Sequence, residues 1–184
     1  SLDNLAALLQ DSGDYAGARP LLERALAIGE KALGPDHPDV AQSLNNLATL
    51  LHDSGDYAGA RPLYERALAI GEKALGPDHP DVATSLNNLA GLLIATGEPA
   101  RALQVALRAE TISREHVRLT AHTLTEREAL RYAAVRVRGL DLALSLAAGG
   151  ADDAPPRAAW DALIRSRALV LDEMAARHRA VGQA

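Results

Sequence analysis

The 184-residue sequence contains no cysteine and no phenylalanine, one methionine and one tryptophan, and its aromatic content is only 3%. Without cysteine it holds no disulfide, no zinc–thiolate site and no cysteine nucleophile. Hydrophobic residues nonetheless reach 48%, so Ala and Leu must fill the core, which suits helices meeting at close range. No apolar run approaches the roughly 20 residues of a membrane span, and no signal-peptide pattern opens the chain. A cytoplasmic location without membrane contact is the default expectation. Positive charge is scarce in the first half. Residues 1–97 carry 13 acidic and 6 basic side chains, whereas residues 98–184 carry 11 and 13. Binding a nucleic-acid backbone needs clustered Lys and Arg, so the acidic half argues against that class of partner.

What is present is a repeat. Residues 1–42 and 43–84 are identical at 37 of 42 positions, and a third, degraded copy begins at Ser85. The five differences are Asp3/Asn45, Ala7/Thr49, Gln10/His52, Leu22/Tyr64 and Gln42/Thr84. Each copy reads as two helices. In the second, Leu44, Leu47, Ala48 and Leu51 recur at helical spacing, Gly55 is a stop, and Asp56 can cap the next start. The second helix runs from about Tyr57 to Leu75, with Pro62 expected in or near its first turn. Gly76-Pro77 ends it, and Asp78 or His79-Pro80-Asp81 opens the following helix. In the third copy the second helix lacks the GPDHP turn and extends to about residue 120. Thr125 to Glu128 fits a capping box for a helix over about 126–147. Gly149–Pro156 is a loop, and a last helix is expected over about 156–180, burying Trp160.

A hairpin that repeats without a gap cannot bury its apolar face alone and must stack on its neighbours. The pattern LNNLAxLLxxxGDYxxARPLxERALAI resembles the tetratricopeptide repeat in the 42-residue form of kinesin light chains. That resemblance implies an all-α, right-handed solenoid of three hairpins (1–42, 43–84 and 85–122), closed by two capping helices in 123–184. The chain starts inside a repeat, so we expect a slice of a longer array whose first helix is weakly ordered at its start. The stretches ISREHVRLT, TEREALRYAAVRVRGLDLALSL and AWDALIRSRALVLDEMAARHR resemble the helical region before the caspase-like domain of bacterial TPR–CHAT proteins. The peptidase of that family uses a His–Cys dyad. With no cysteine, nothing catalytic carries over, and the resemblance implies a sensor arm at most.

The five differences locate a candidate site. At about 100° per residue, Asn45, Thr49, His52 and the Gln42/Thr84 position fall on one stripe about 80° wide, beside the apolar face. Asp3, Ala7 and Gln10 are their counterparts in the first copy, and Thr84, Asn87, Gly91 and Ile94 continue the stripe in the third. In tetratricopeptide arrays this flank of the first helix lines a peptide groove, so the resemblance implies a groove diversified on a constant scaffold. Drift of an exposed stripe is the competing reading, although other exposed residues, such as Glu65, Arg66, Glu72 and Lys73, have not drifted. Leu22/Tyr64 reads as a packing change. Asn4, Asn46 and Asn88 recur in register, as do Asn45 and Asn87. Their amides can hold an extended peptide by its backbone or be satisfied between hairpins. No Lys or Arg lies on the stripe, which argues against the carboxylate clamp of chaperone-binding relatives; with Asp3, Asp11 and Asp53 nearby, a neutral or basic protein partner fits better.

Asp36-His37-Pro38-Asp39 and Asp78-His79-Pro80-Asp81 have ligand-type residues, but ones so close together at a helix start serve as caps rather than a metal site. No nucleophile–base pair or phosphate loop is present, so neither an enzyme nor a cofactor is expected. The reading is a non-catalytic module that binds a peptide or protein, with a self-associating array, such as a homodimer, as the alternative.

Overall fold

The computed structural model describes residues 2–121, and among these every regular element is an α-helix. The order is α1 (Leu2–Asp11), α2 (Tyr15–Leu33), α3 (Pro38–Asp53), α4 (Tyr57–Leu75), α5 (Pro80–Ala95) and α6 (Pro99–Ala121). The chain divides into two units, residues 1–98 and 99–184. The first holds the hairpins α1–α2 and α3–α4 and the helix α5. In the second only α6 is described, reaching Ala121 as the missing turn predicts. The first tail stretch, ISREHVRLT, lies within α6, whereas the Thr125 capping box, the two tail helices with Trp160 and the other two stretches lie outside the described residues.

Within each hairpin the turn follows from four residues. In Ser54-Gly55-Asp56, Gly55 takes φ 85°, a left-handed conformation that glycine adopts without strain. Its N–H donates to the His52 carbonyl at 2.9 Å and the Asp56 N–H donates to the Leu51 carbonyl at 2.8 Å, the paired bonds of a Schellman stop. The same Asp56 caps α4 by accepting from the Gly59 N–H at 2.9 Å. Gly59 is required in turn, because a Cβ there would sit 2.7 Å from the Asp56 carboxylate. Between hairpins the start is set by histidine. His79 Nδ1 accepts from the Asp81 N–H at 3.2 Å, with Pro80 in the first turn of α5, and His37 does the same for α3 at 3.1 Å. The imidazole, rather than Asp78, is therefore the cap.

Pro20 and Pro62 lie inside α2 and α4, just past the first turn of each. Pro62 and the Ala58 whose carbonyl it leaves without an intrahelical donor are both exposed, so water can take that bond.

The core is aliphatic. Val40, Ala41, Leu44, Ala67 and Ile70 pack as one cluster, with Leu26 and Leu63 against it. The predicted face of α3 is buried: Leu44 and Ala48 are fully covered, and Leu47 and Leu51 nearly so. Ion pairs link successive repeats. Arg66 meets Glu30 at 2.7 Å and Lys73 meets Asp36 at 2.5 Å, while Arg61 bonds both Glu98 and Thr96. Exposed pairs of this kind contribute little to stability, because water screens them.

Candidate partner-binding stripe

The stripe lies on the first helices α1, α3 and α5, and the structure shows what each residue does there. Several are bridges between helices. Gln10 donates from Nε2 to Asp53 Oδ2 at 2.9 Å, tying α1 to α3. Its counterpart His52 places Nδ1 3.1 Å from Oδ1 of the same Asp53, with its ring 5.4 Å from that of Tyr57. The next copy has Ala95 in place of this aspartate, so His52 has no equivalent bridge onward. Asn45 is buried and donates from Nδ2 to Ser85 Oγ at 2.9 Å, tying α3 to α5.

Thr49 and Tyr64 reveal a link that the helical wheel of one helix could not. Their hydroxyl oxygens are 3.0 Å apart, and Thr49 Oγ1 also donates to the Asn45 carbonyl at 2.9 Å. Tyr64 and its counterpart Leu22 are both buried, so the position is a packing one, as expected. The first copy pairs Ala7 with Leu22 where the second pairs Thr49 with Tyr64. Two of the five differences are thus one coupled change from an apolar pair to a hydrogen-bonded pair. Burial raises the Tyr64 phenol above its ordinary range, against the smaller opposing effect of the Thr49 bond.

The remaining stripe residues are more open. Gln42 is exposed and donates to Asn46 Oδ1 at 2.9 Å, and Thr84 is exposed and donates to the Pro80 carbonyl. Ala7 and Ile94 are exposed, while Asp3, Asn87, Asn88 and Gly91 are half-buried. Asp3, Asn45 and Asn87 occupy the same repeat position, and in each Oδ1 is buried without a hydrogen-bond donor. The amide of Asn45 is therefore satisfied between hairpins through its nitrogen and left open at its oxygen.

A profile of the tetratricopeptide repeat matches residues 1–73 and again 44–115. The chain belongs to the tetratricopeptide-repeat family. The repeat fold is a non-catalytic scaffold for protein interaction. Among solved structures, it resembles the nearly identical TPR-like repeats of kinesin-light-chain type from Podosopora anserina, at 22% identity, TM-score 0.57, and coverage of 91% of this chain and 92% of that one. It also resembles BtubC (BKLC) from P. vanneervenii, at 23% identity and TM-score 0.64, over 98% of this chain and 63% of that one. At these identities the likeness establishes the helical-solenoid fold alone. No curated protein sequence gives a significant match. Among the described residues of this repeat protein, no helix is long and apolar enough to cross a membrane, and no three His, Asp or Glu side chains gather as a metal site.

Proposed function

We propose that this tetratricopeptide chain binds a protein segment along the stripe of α1, α3 and α5, and that the segment is neutral or basic. The observation that carries this reading is the acceptor left open three times in register, at Asp3, Asn45 and Asn87. An unmet buried acceptor costs about 1–3 kcal/mol, a cost that donors on an extended partner would offset. Variation confined largely to the same stripe, on an otherwise constant repeat, supports it. The tail's resemblance to TPR–CHAT proteins supports a role as the sensor arm of such a protein in the bacterial cytoplasm.

The test is selection of ligands from an immobilised peptide library by the purified chain. The combined variant His52→Ala, Asn87→Ala, Ile94→Ala should lose the selected peptides while keeping its helical melting transition. Equal capture by the variant would refute the stripe as the binding surface.

Self-association is the second reading, and one contrast favours it. Leu8 and Ile28 are 66% and 52% exposed, whereas their counterparts Leu50 and Ile70 are 1% and 5% exposed. Sedimentation across a concentration series would show association through the α1–α2 face, and a monomer throughout would exclude it.

A further inference from the structure

One end of the stripe opens on a cleft of about 230 Å³ between α3, α4 and α5. Its apolar lining is slender: Ala41, Ala67 and Gly71 leave room beside Leu75. Gly71 is buried, and a Cβ there would stand 3.4 Å from Val82 Cγ2, so the glycine keeps this wall thin.

The polar lining has a consistent chemistry. Each side-chain amide or hydroxyl in it makes one donation within the protein, which uses the single hydrogen of Ser85 and of Thr84 and one of the two on each amide. Gln42 donates to Asn46, Asn45 to Ser85, Ser85 to the Asp81 carbonyl and Thr84 to the Pro80 carbonyl. The buried atom left unpaired in the lining is an acceptor. Asn45 is 7% exposed, and its Oδ1 is reached by no donor. The carboxylates of Asp39 and Asp81 stand at the rim, 78% and 73% exposed. The nearest charged or titratable partners are His37 and His79, whose Nδ1 atoms lie 3.8 and 3.6 Å from those carboxylates and accept from the backbone N–H groups of the same residues. No Lys or Arg lines the cleft.

A site with two carboxylates, a buried unpaired carbonyl and no cationic side chain selects against anions. It favours a group rich in donors, positively charged, on an aliphatic stem that can lie along alanine and leucine. We propose that this cleft is a subsite for one basic side chain of the bound partner, with arginine favoured over lysine. The guanidinium is a planar fork of five donors that can address carboxylates on two sides while filling the open Asn45 acceptor; an ammonium is a single point of charge. The subsite deepens the reading of the stripe as a partner-binding surface, and rests on that reading only for the ligand being a protein.

The test uses the intact chain and a defined probe. Nα-acetyl-arginine amide is titrated against Nα-acetyl-citrulline amide, which keeps the shape and loses the charge, with heteronuclear NMR as the readout. The arginine probe should give saturable shifts in residues 38–45 and 81–85 and at the Asn45 side-chain amide. Its binding should be about tenfold or more tighter than that of citrulline, as expected for charge-assisted hydrogen bonds. The Asp39→Asn, Asp81→Asn double variant should abolish the difference, and Asn45→Ala should weaken arginine without moving the site. Equal binding of the two probes by the unaltered chain, or shifts confined to other residues, overturns the proposal without relying on any variant folding. The outcomes separate the two readings. If stripe-dependent peptides are selected but arginine and citrulline bind equally, the subsite fails alone. If arginine is discriminated here but stripe substitutions leave peptide capture unchanged, the stripe fails and the subsite stands.

Discussion

The coupled pair Thr49–Tyr64 can be tested by a double-mutant cycle. The threonine hydroxyl has one hydrogen. With Oγ1 donating to the Asn45 carbonyl, the phenol must donate in the 3.0 Å bond between them. Thr49→Ala therefore strands the O–H of a side chain only 2% exposed. A stranded buried donor costs about 1–3 kcal/mol. Tyr64→Phe removes the donor itself and leaves Thr49 bonded to its backbone carbonyl, for a loss of about 0.5–1.5 kcal/mol. In the double variant no hydroxyl is stranded, so the loss should fall short of the sum by about 1 kcal/mol. Denaturant unfolding followed by circular dichroism on all four proteins supplies the cycle. Additivity within about 0.3–0.5 kcal/mol would show that the two hydroxyls do not interact, and would refute the account of these two differences as one change. Alkaline titration gives a second readout. Burial raises the Tyr64 phenol, so the neutral form is favoured in the folded chain. Its contribution is complete below the ordinary tyrosine range near pH 10 and is lost as pH rises through the higher folded value. Tyr64→Phe should flatten that alkaline limb.

Two further predictions follow from the seam between repeats. Leu50→Ala should cost about 2–5 kcal/mol, because its side chain is fully covered, whereas Leu8→Ala at the equivalent position should stay within about 0.5 kcal/mol because it is largely exposed; equal losses in unfolding would contradict the observed packing. The hydrogen bond and charge of Lys73 hold the exposed Asp36 carboxyl below its usual range. Its contribution is present above the ordinary carboxylate value and is lost as pH falls through the lower folded one. Lys73→Met should move the Asp36 titration midpoint upward by NMR, and an unmoved midpoint would show that the pair does not form in solution.

Much of this architecture was legible because each decision is local. Gly55, Asp56 and Gly59 make a stop, a cap and the space for that cap within five residues, and the near-identical first copy repeats the instruction. The extension of α6 to Ala121 followed from the absence of a GPDHP turn, which is likewise a local fact. Pro62 sits near the first turn of α4, as expected, but whether its orphan carbonyl meets water is a property of the folded surface. His79 over Asp78 as cap was a choice between neighbours that only backbone geometry could make.

The candidate stripe shows the same division. A helical wheel places Asn45, Thr49, His52 and Thr84 on one flank, since angle along a helix is set by spacing alone. It cannot say that Asn45 is buried against Ser85, forty residues away, or that Thr49 shares a bond with Tyr64 on another helix. Nor can it say that Asp39 and Asp81, one repeat apart, stand over a single cleft with Asn45 in its lining. The sequence by itself determined the helices, their caps, the repeat and the variable positions, because these depend on neighbours along the chain. Only the tertiary structure decided which variable side chains are consumed as bridges between helices and which acceptors are left open, because hydrogen bonds between hairpins depend on distances that no local pattern encodes.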